Sequence, residues 1–515
     1  MTDTAERPDE PDARVSSGVP GLDTLLRGGF FRGGTYIIAG APGTGKTILG
    51  NQFCFATVAQ GGRAVYLTVL SESHARMMQH LRSMNFFHPE AVGRALNYES
   101  GSAALKAEGL AGLGKLIFRA VREHGATALV VDGLVAMEER SEDPLRLREF
   151  LHGLCVHNAL AGCTTLLLTG QHGGPADPRY TMVDGVVALV QERVGVKSVR
   201  LVEVTKFRGG PQVPGQHGFH ISHDGLSIHP RVEAVYTRLP ARTLATDARV
   251  TFGVPSLDEM LSGGLVRDSS TLVAGPPGSG KTQLGLHFLM EGARRQEPGL
   301  YLGFVETPSR LVNKAERMGL ALGGHVDAGR VHLVSRMAAE SQPDALAEEL
   351  FGWVKQHGIQ RLVLDGLGSF CQELTDPERT PRFLAALMYE LLNLGVTPLL
   401  LQQTRALAAP EADARLNVEA LVDNVLVLRL VALRSRNYHV LSVLKARESD
   451  HDAAQRLFSM TSRGIEVAAD SESAEALFNG QTPSQAAPPR KPKRKAGSKP
   501  VVRRGKPSRR GGRGA

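Results

Sequence analysis

Two eight-residue stretches carry the residues best suited to holding phosphate: Gly40-Ala41-Pro42-Gly43-Thr44-Gly45-Lys46-Thr47 and Gly275-Pro276-Pro277-Gly278-Ser279-Gly280-Lys281-Thr282. Both read GxxxxGKT. Glycines let successive backbone N–H groups close around phosphate oxygens where a Cβ would intrude. The lysine neutralises the terminal phosphates, and the threonine hydroxyl is placed to hold Mg2+. A metal beside a nucleotide also needs a carboxylate at the end of a neighbouring buried strand. Ala128-Leu129-Val130-Val131-Asp132 and Arg361-Leu362-Val363-Leu364-Asp365 supply one, 86 and 84 residues after their loop lysines. A strand that ends at an aspartate turn is common, but its recurrence at matched spacing favours the metal role for Asp132 and Asp365.

Hydrolysis would further require a group that orients or deprotonates water. Glu72 and Glu306 are the candidates, because they follow the runs Tyr66-Leu67-Thr68 and Tyr301-Leu302-Gly303, which are expected beside the phosphate-loop strands. An acid in the first turn of an ordinary helix would have the same local sequence. A third recurrent element is Lys206-Phe207-Arg208, matched by Lys445-Ala446-Arg447. Alternation along a strand places each Lys and Arg on one face; taken alone, such a pair reads as a solvated strand edge.

A phosphate loop functions between a strand and a helix N-terminus. Each loop here follows a short apolar run (residues 35–38 and 271–274) and precedes a helix-patterned segment beginning at Ile48 or Gln283. The lead-ins repeat as well. Ser17-Gly18-Val19-Pro20-Gly21-Leu22-Asp23 and Phe252-Gly253-Val254-Pro255-Ser256-Leu257-Asp258 lie at the same offset of 235 residues as the loops, so the chain is an internal duplication. In the first copy, β-rich runs at residues 64–68, 128–131 and 165–168 alternate with helical patterns at 75–86 and 145–161. That alternation predicts an α/β fold with a mainly parallel sheet covered by helices on both faces. Runs at residues 185–191 and 198–205 predict a terminal antiparallel hairpin, and the second copy repeats the scheme at 300–303, 362–364, 399–401, 425–430 and 439–444.

The expected organisation is a disordered leader (1–14), a first domain (15–232), a linker (233–248), a second domain (249–468) and a disordered basic tail (469–515). The chain has 515 residues and a formal net charge of +8, yet residues 481–515 hold 12 of its 60 Lys and Arg and no acid. The remainder therefore carries 48 basic against 52 acidic residues. The body is mildly acidic, and the tail is too poor in large apolar residues to fold. Cys54, Cys155, Cys163 and Cys371 form no CxxC pair, which points away from a disulfide framework or a zinc site. The polar N-terminus and the lack of a long apolar run argue for a cytoplasmic protein with no membrane partner.

Together these residues resemble the KaiC family of circadian-clock ATPases within the RecA superfamily, over residues 17–467 in two copies. The likeness rests on the GVPGLD and GVPSLD lead-ins, both phosphate loops, the Asp strands, the KxR pairs, and the ending from Asp450-His451-Asp452 to Gly464-Ile465. The resemblance implies two tandem RecA-like P-loop domains, ATP and Mg2+ as cofactors, and ATPase activity. It also implies a homo-hexameric ring in which Lys206, Arg208, Lys445 and Arg447 reach the phosphates of the adjacent protomer, with a further protein partner left unidentified.

Two departures qualify it. The family carries paired glutamates where this chain has Ser71-Glu72 and Val305-Glu306, so slow turnover is expected. Its autophosphorylated Ser and Thr correspond to Glu419 and Ala420, so clock-type autokinase activity does not carry over. A binding scaffold with little turnover is the alternative. A DNA-associated ATPase would have to use the basic tail, because residues 172–180 and 405–417 are short and not notably basic.

Overall fold

Strand β1 (Thr35–Gly40) feeds helix α1 (Lys46–Ala59), followed by β2 (Ala64–Thr68), β3 (Leu96–Ser100), α2 (Ser102–His124), β4 (Ala128–Asp132), α3 (Pro144–Leu160), β5 (Thr164–Thr169), α4 (Pro178–Met182), β6 (Gly185–Val194), β7 (Lys197–Phe207), β8 (Gln216–Ser222), β9 (Gly225–His229) and α5 (Val232–Val235). The second copy runs β10 (Thr271–Gly275), α6 (Lys281–Arg294), β11 (Gly299–Gly303), α7 (Pro308–Arg317), β12 (Val331–Ser335), α8 (Pro343–His357), β13 (Arg361–Asp365), α9 (Thr380–Asn393), β14 (Thr397–Gln403), α10 (Val418–Leu421), β15 (Asn424–Leu433), β16 (Arg436–Ala446), β17 (Arg456–Thr461), β18 (Gly464–Val467) and α11 (Glu472–Phe478). The computed structural model describes residues 14–481 apart from 70–73, 141–143, 171–177, 238, 240–247, 338–341, 373, 375 and 405–417.

Each copy builds a nine-stranded sheet, in the orders β9-β8-β7-β6-β1-β5-β4-β2-β3 and β12-β11-β13-β14-β10-β15-β16-β17-β18. The strands from β6 to β3 are parallel, and β6 through β9 are antiparallel. The expected fold class, two tandem RecA-like domains with mainly parallel sheets, is what forms. Alternation explains the layering. Tyr36 and Ile38 of β1 point toward Leu49 and Phe53 of α1, whereas Ile37 and Ala39 join Leu113 and Ile117 of α2 and Leu151 and Leu154 of α3. With helices on both faces, every residue of β1 is buried, and its sequence is accordingly a continuous apolar run. The lead-in aspartates are structural: Asp23 accepts the Ser17 N–H at 2.8 Å, and Asp258 accepts those of Phe252 at 2.7 Å and Gly253 at 3.1 Å.

The lateral order corrects one expectation. β2 and β11, which precede the candidate glutamates, do not adjoin the phosphate-loop strands; β5 with β4, and β14 with β13, lie between. Even the Asp strands are one place removed. The sheet also extends further than a hairpin, since β8 and β9 continue it beyond β7. Neither these strands nor β3 and α2 were read from the sequence.

Three segments placed outside the domains carry structure. Arg14, given to the leader, pairs with Phe31, and its guanidinium lies 3.7 Å over that ring. Helix α5 enters the span given to the linker and seats Val232, fully buried, in the apolar core of the second copy. Helix α11 falls in the span given to the disordered tail. Its Ala474 and Leu477, three residues apart, are buried, and the helix packs on β17. The basic stretch itself, beyond residue 481, lies outside the described residues.

Candidate functional site

At the C-terminal end of β1 the backbone turns through Ala41 to Gly45 and enters α1 at Lys46. Gly45 at φ 101° and Gly280 at φ 97° adopt left-handed conformations that a Cβ would strain, and each leaves the N-terminus of its helix open. Gly40 has no room for a side chain, since a Cβ there would meet the Leu189 carbonyl at 2.5 Å. Lys46 Nζ donates to the Gly40 and Ala41 carbonyls at 2.7 and 2.9 Å. Lys281 Nζ repeats this on Gly275 and Pro276 at the same distances. Burial pushes both ammonium groups below the ordinary lysine value, and Asp132 and Asp365 partly counter it.

Beside each loop the metal-type residues meet. Thr47 Oγ1 donates to Asp132 Oδ2 at 3.2 Å, and Thr282 Oγ1 to Asp365 Oδ2 at 2.7 Å. Sequence reasoning missed a third member. Tyr66 Oη donates to the same oxygen of Asp132 at 2.8 Å, and Tyr301 Oη to that of Asp365 at 2.7 Å. Burial and the adjacent carboxylate raise both phenols far above the usual tyrosine range, so they remain donors. The available signal was the recurrence of the tyrosine at the same offset of 235 residues as the loops.

A hard cation that keeps most of its waters needs only one or two protein oxygens plus phosphate. The hydroxyl and carboxylate in each copy fit that demand, and among the described residues no group of three or more His, Cys, Asp and Glu could hold a metal by itself. Ser279 Oγ is buried inside the second loop without a hydrogen-bond partner, where its counterpart Thr44 Oγ1 donates to the Ala41 carbonyl at 2.8 Å.

The remaining candidates divide. Glu72 lies outside the described residues. Glu306 stands beyond the end of β11, near enough for its charge to act on the Tyr301 phenol, but its carboxylate pairs with Lys314 Nζ at 2.6 Å. Val305 before it is 80% exposed.

The KxR pairs face their own chain. Lys206 Nζ donates to the carbonyls of Tyr180 and of Val183, the latter at 2.7 Å, and Arg208 Nη2 to that of Thr181 at 3.0 Å. Lys445 and Arg447 hold Glu419, Val422 and Ala420 in the same way. Both pairs therefore cap the C-terminal ends of α4 and α10, where carbonyls favour cations. The shared face expected from alternation holds.

Register sets their distance from the phosphate loops. Lys206 pairs with Val186, which pairs with Ile37, three residues below Gly40. At roughly 3.3 Å per residue and 4.8 Å per strand, Lys206 lies about 14 Å from the start of its own loop, beyond the reach of a lysine side chain. β6 meanwhile overhangs the loop, since Gly40 pairs with Leu189 and the strand runs on to Val194. Between this arm and the loop lies a cavity of about 610 Å3 lined by Ala41, Pro42, Thr44, Gln191, Arg193 and Ser198, among others.

With this geometry in hand, a profile described as "ATPase: KaiC" matches residues 15–233 and 250–472. The chain belongs to the KaiC ATPase family. Among its relatives, circadian clock oscillator protein KaiC 1 of Synechocystis sp. is 24% identical over 92% of this chain and 93% of its own length. KaiC of Rippkaea orientalis is 24% identical over 91% of both chains. Circadian clock protein KaiC2 of Synechocystis sp. is 24% identical over 88% of this chain and 81% of its own.

Membership accounts for the duplication and supports ATP binding and ATPase chemistry by this KaiC-family chain. No helix among the described residues is long and apolar enough to cross a membrane. Most of the two segments weighed for nucleic-acid contact, 172–180 and 405–417, falls outside the described residues, as does the basic tail.

Proposed function

We propose that this KaiC-family chain is a slow ATP-hydrolysing ring protein that acts as a nucleotide-driven switch, with ATP and Mg2+ lying between neighbouring protomers of a homo-hexamer. The observation that carries this is the placement of Lys206, Arg208, Lys445 and Arg447 at the opposite end of the strands from their own loops. Such cations serve a phosphate only in another chain, so one protomer holds half of each site. The names of the relatives, circadian clock oscillator proteins, support the switch role.

In this reading Lys46 and Lys281 exchange their loop carbonyls for phosphate oxygens. Mg2+, when bound, would be held by Thr47 with Asp132 and by Thr282 with Asp365, and would neutralise charge on the phosphates. Tyr66 and Tyr301 fix the orientation of those carboxylates. The neighbour's Lys and Arg leave their helix carbonyls and stabilise charge on the terminal phosphoryl group as water attacks, a contribution of about 10³–10⁵ in rate. Glu72 and Glu306 are the candidates for orienting that water. Where a general base is lacking, turnover falls by about 10²–10⁴, which leaves a slow ATPase rather than none. A binding scaffold with little turnover is the second reading, favoured for the second copy by the Lys314 pairing of Glu306.

Subunit mixing tests the shared site. Full-length K46A/K281A keeps its KxR pairs but loses nucleotide binding; R208A/R447A binds nucleotide but lacks the arginines. Each alone should release little phosphate, and a mixture whose mass shows co-assembly should recover turnover. Turnover by R208A/R447A alone, or none from co-assembled mixtures, would refute the shared arrangement.

A further inference from the structure

In the second copy the candidate water-handling carboxylate is engaged by a cation: Glu306 Oε1 lies 2.6 Å from Lys314 Nζ, with the two side chains only 25% and 34% exposed. The backbone is fixed as well, because Ser335 Oγ donates to the Glu306 carbonyl at 2.6 Å. Lys314 belongs to the last turn of α7, eight residues beyond Glu306, so both ends of the pair sit on ordered elements. Asp365 is already committed to Thr282 and Tyr301. Val305 contributes an exposed apolar side chain and no proton acceptor. In the first copy, the residue eight beyond Glu72 is His80, not a lysine.

Resting on the assignment of both loops to ATP, we propose that Lys314 is a positioning residue that holds Glu306 away from water. The second copy is thereby a site that holds nucleotide with little turnover. Oε1 of Glu306 accepts the lysine ammonium, and the ion pair fixes the carboxylate away from a water-orienting position. Once released, the carboxylate takes a proton from water as the water oxygen bonds to the γ-phosphorus. The bond from that phosphorus to the β–γ bridging oxygen breaks, ADP leaves with the bridging oxygen, and the proton passes to the inorganic phosphate. A full general-base contribution is about 10²–10⁴-fold, and a carboxylate not otherwise arranged for the task delivers part of it.

The test uses full-length K46A, in which only the second loop binds. A fluorescent ATP analogue must still bind this protein; loss of binding would overturn the underlying assignment of the loop and not the role of Lys314. With binding retained, K46A/K314M should raise kcat for phosphate release about tenfold or more at unchanged KM. K46A/K314R, which preserves the ion pair, should stay at the K46A level, and K46A/K314M/E306Q should lose the gain. K314Q replaces K314M if the latter folds poorly, Lys314 being a partly exposed helix residue. An unmoved kcat in K314M and K314Q, an equal rise in K314R, or a gain that survives E306Q would each overturn the proposal.

Discussion

Replacing Tyr66 by Phe removes one oxygen from a fully buried ring and keeps its shape, so the effect falls on Asp132 alone. Asp132 Oδ2 accepts Tyr66 at 2.8 Å and Thr47 at 3.2 Å, so the tyrosine is its closer donor; Asp365 is held by Tyr301 and Thr282 at 2.7 Å each. A hydrogen bond to a charged group contributes about 1.5–3 kcal/mol, and loss of a residue that orients a metal ligand typically costs about 10–100-fold in metal affinity. Tyr66→Phe should therefore raise the Mg2+ midpoint for nucleotide retention in the first copy by about 10–100-fold. Tyr301→Phe should shift the second copy less, because a well-placed Thr282 remains. The assay is Mg2+ titration of a fluorescent ATP analogue, with K281A isolating the first copy and K46A the second. A Tyr66→Phe protein whose midpoint moves less than twofold, or a larger shift from Tyr301→Phe, would refute the assigned role of the phenols.

Two further expectations concern the junction and the buried histidines, with Trp353, the single tryptophan, reporting on the second copy. Arg379 joins Glu233 of the helix from the first copy to Asp344, with exposures of 18%, 11% and 7%. Arg379→Met strands the buried Asp344 carboxylate and leaves partly buried Glu233 only Arg231 at 3.8 Å, so it should destabilise the second copy by about 3–5 kcal/mol in urea unfolding, whereas an unchanged midpoint would mean that the junction does not support it. Burial lowers the pKa of His217 and of His287 from the ordinary 6.5 to about 4. The unfolded chain therefore takes up these protons first. Each histidine costs nothing above pH 6.5 and destabilises progressively down to about pH 4, by up to roughly 3 kcal/mol. His287→Gln should flatten the pH dependence of Trp353-detected unfolding between pH 6.5 and 4, and an unaltered slope would exclude His287 as its source.

What could be read directly was local chemistry. A phosphate loop is specified by eight consecutive residues, and its duplication by a constant offset, so Lys46, Thr47, Lys281 and Thr282 needed no tertiary information. Asp132 and Asp365 were legible because a buried strand that ends in an acid is itself a local pattern. The tyrosines were not, since Tyr66 and Asp132 are far apart in the chain and meet only because β2 and β4 pair in register, with Thr68 opposite Asp132. Helix α11 was not legible because its seven residues offer a single buried pair, Ala474 and Leu477, too short a pattern to stand out beside the basic stretch that follows.

The sequence by itself determined two copies of a phosphate-loop α/β unit, the residues proposed to hold phosphate and metal, and the faces of the strands. Lateral strand order was decided only by the tertiary structure, since a crossover helix lets successive parallel strands be neighbours or leave room for a third. That order separates β2 from β1, while register places the KxR pairs at the opposite end of the strands from their own loops. The engagement of Glu306 by Lys314 likewise depends on where α7 packs after β11, a matter of shape and burial that spacing alone does not encode.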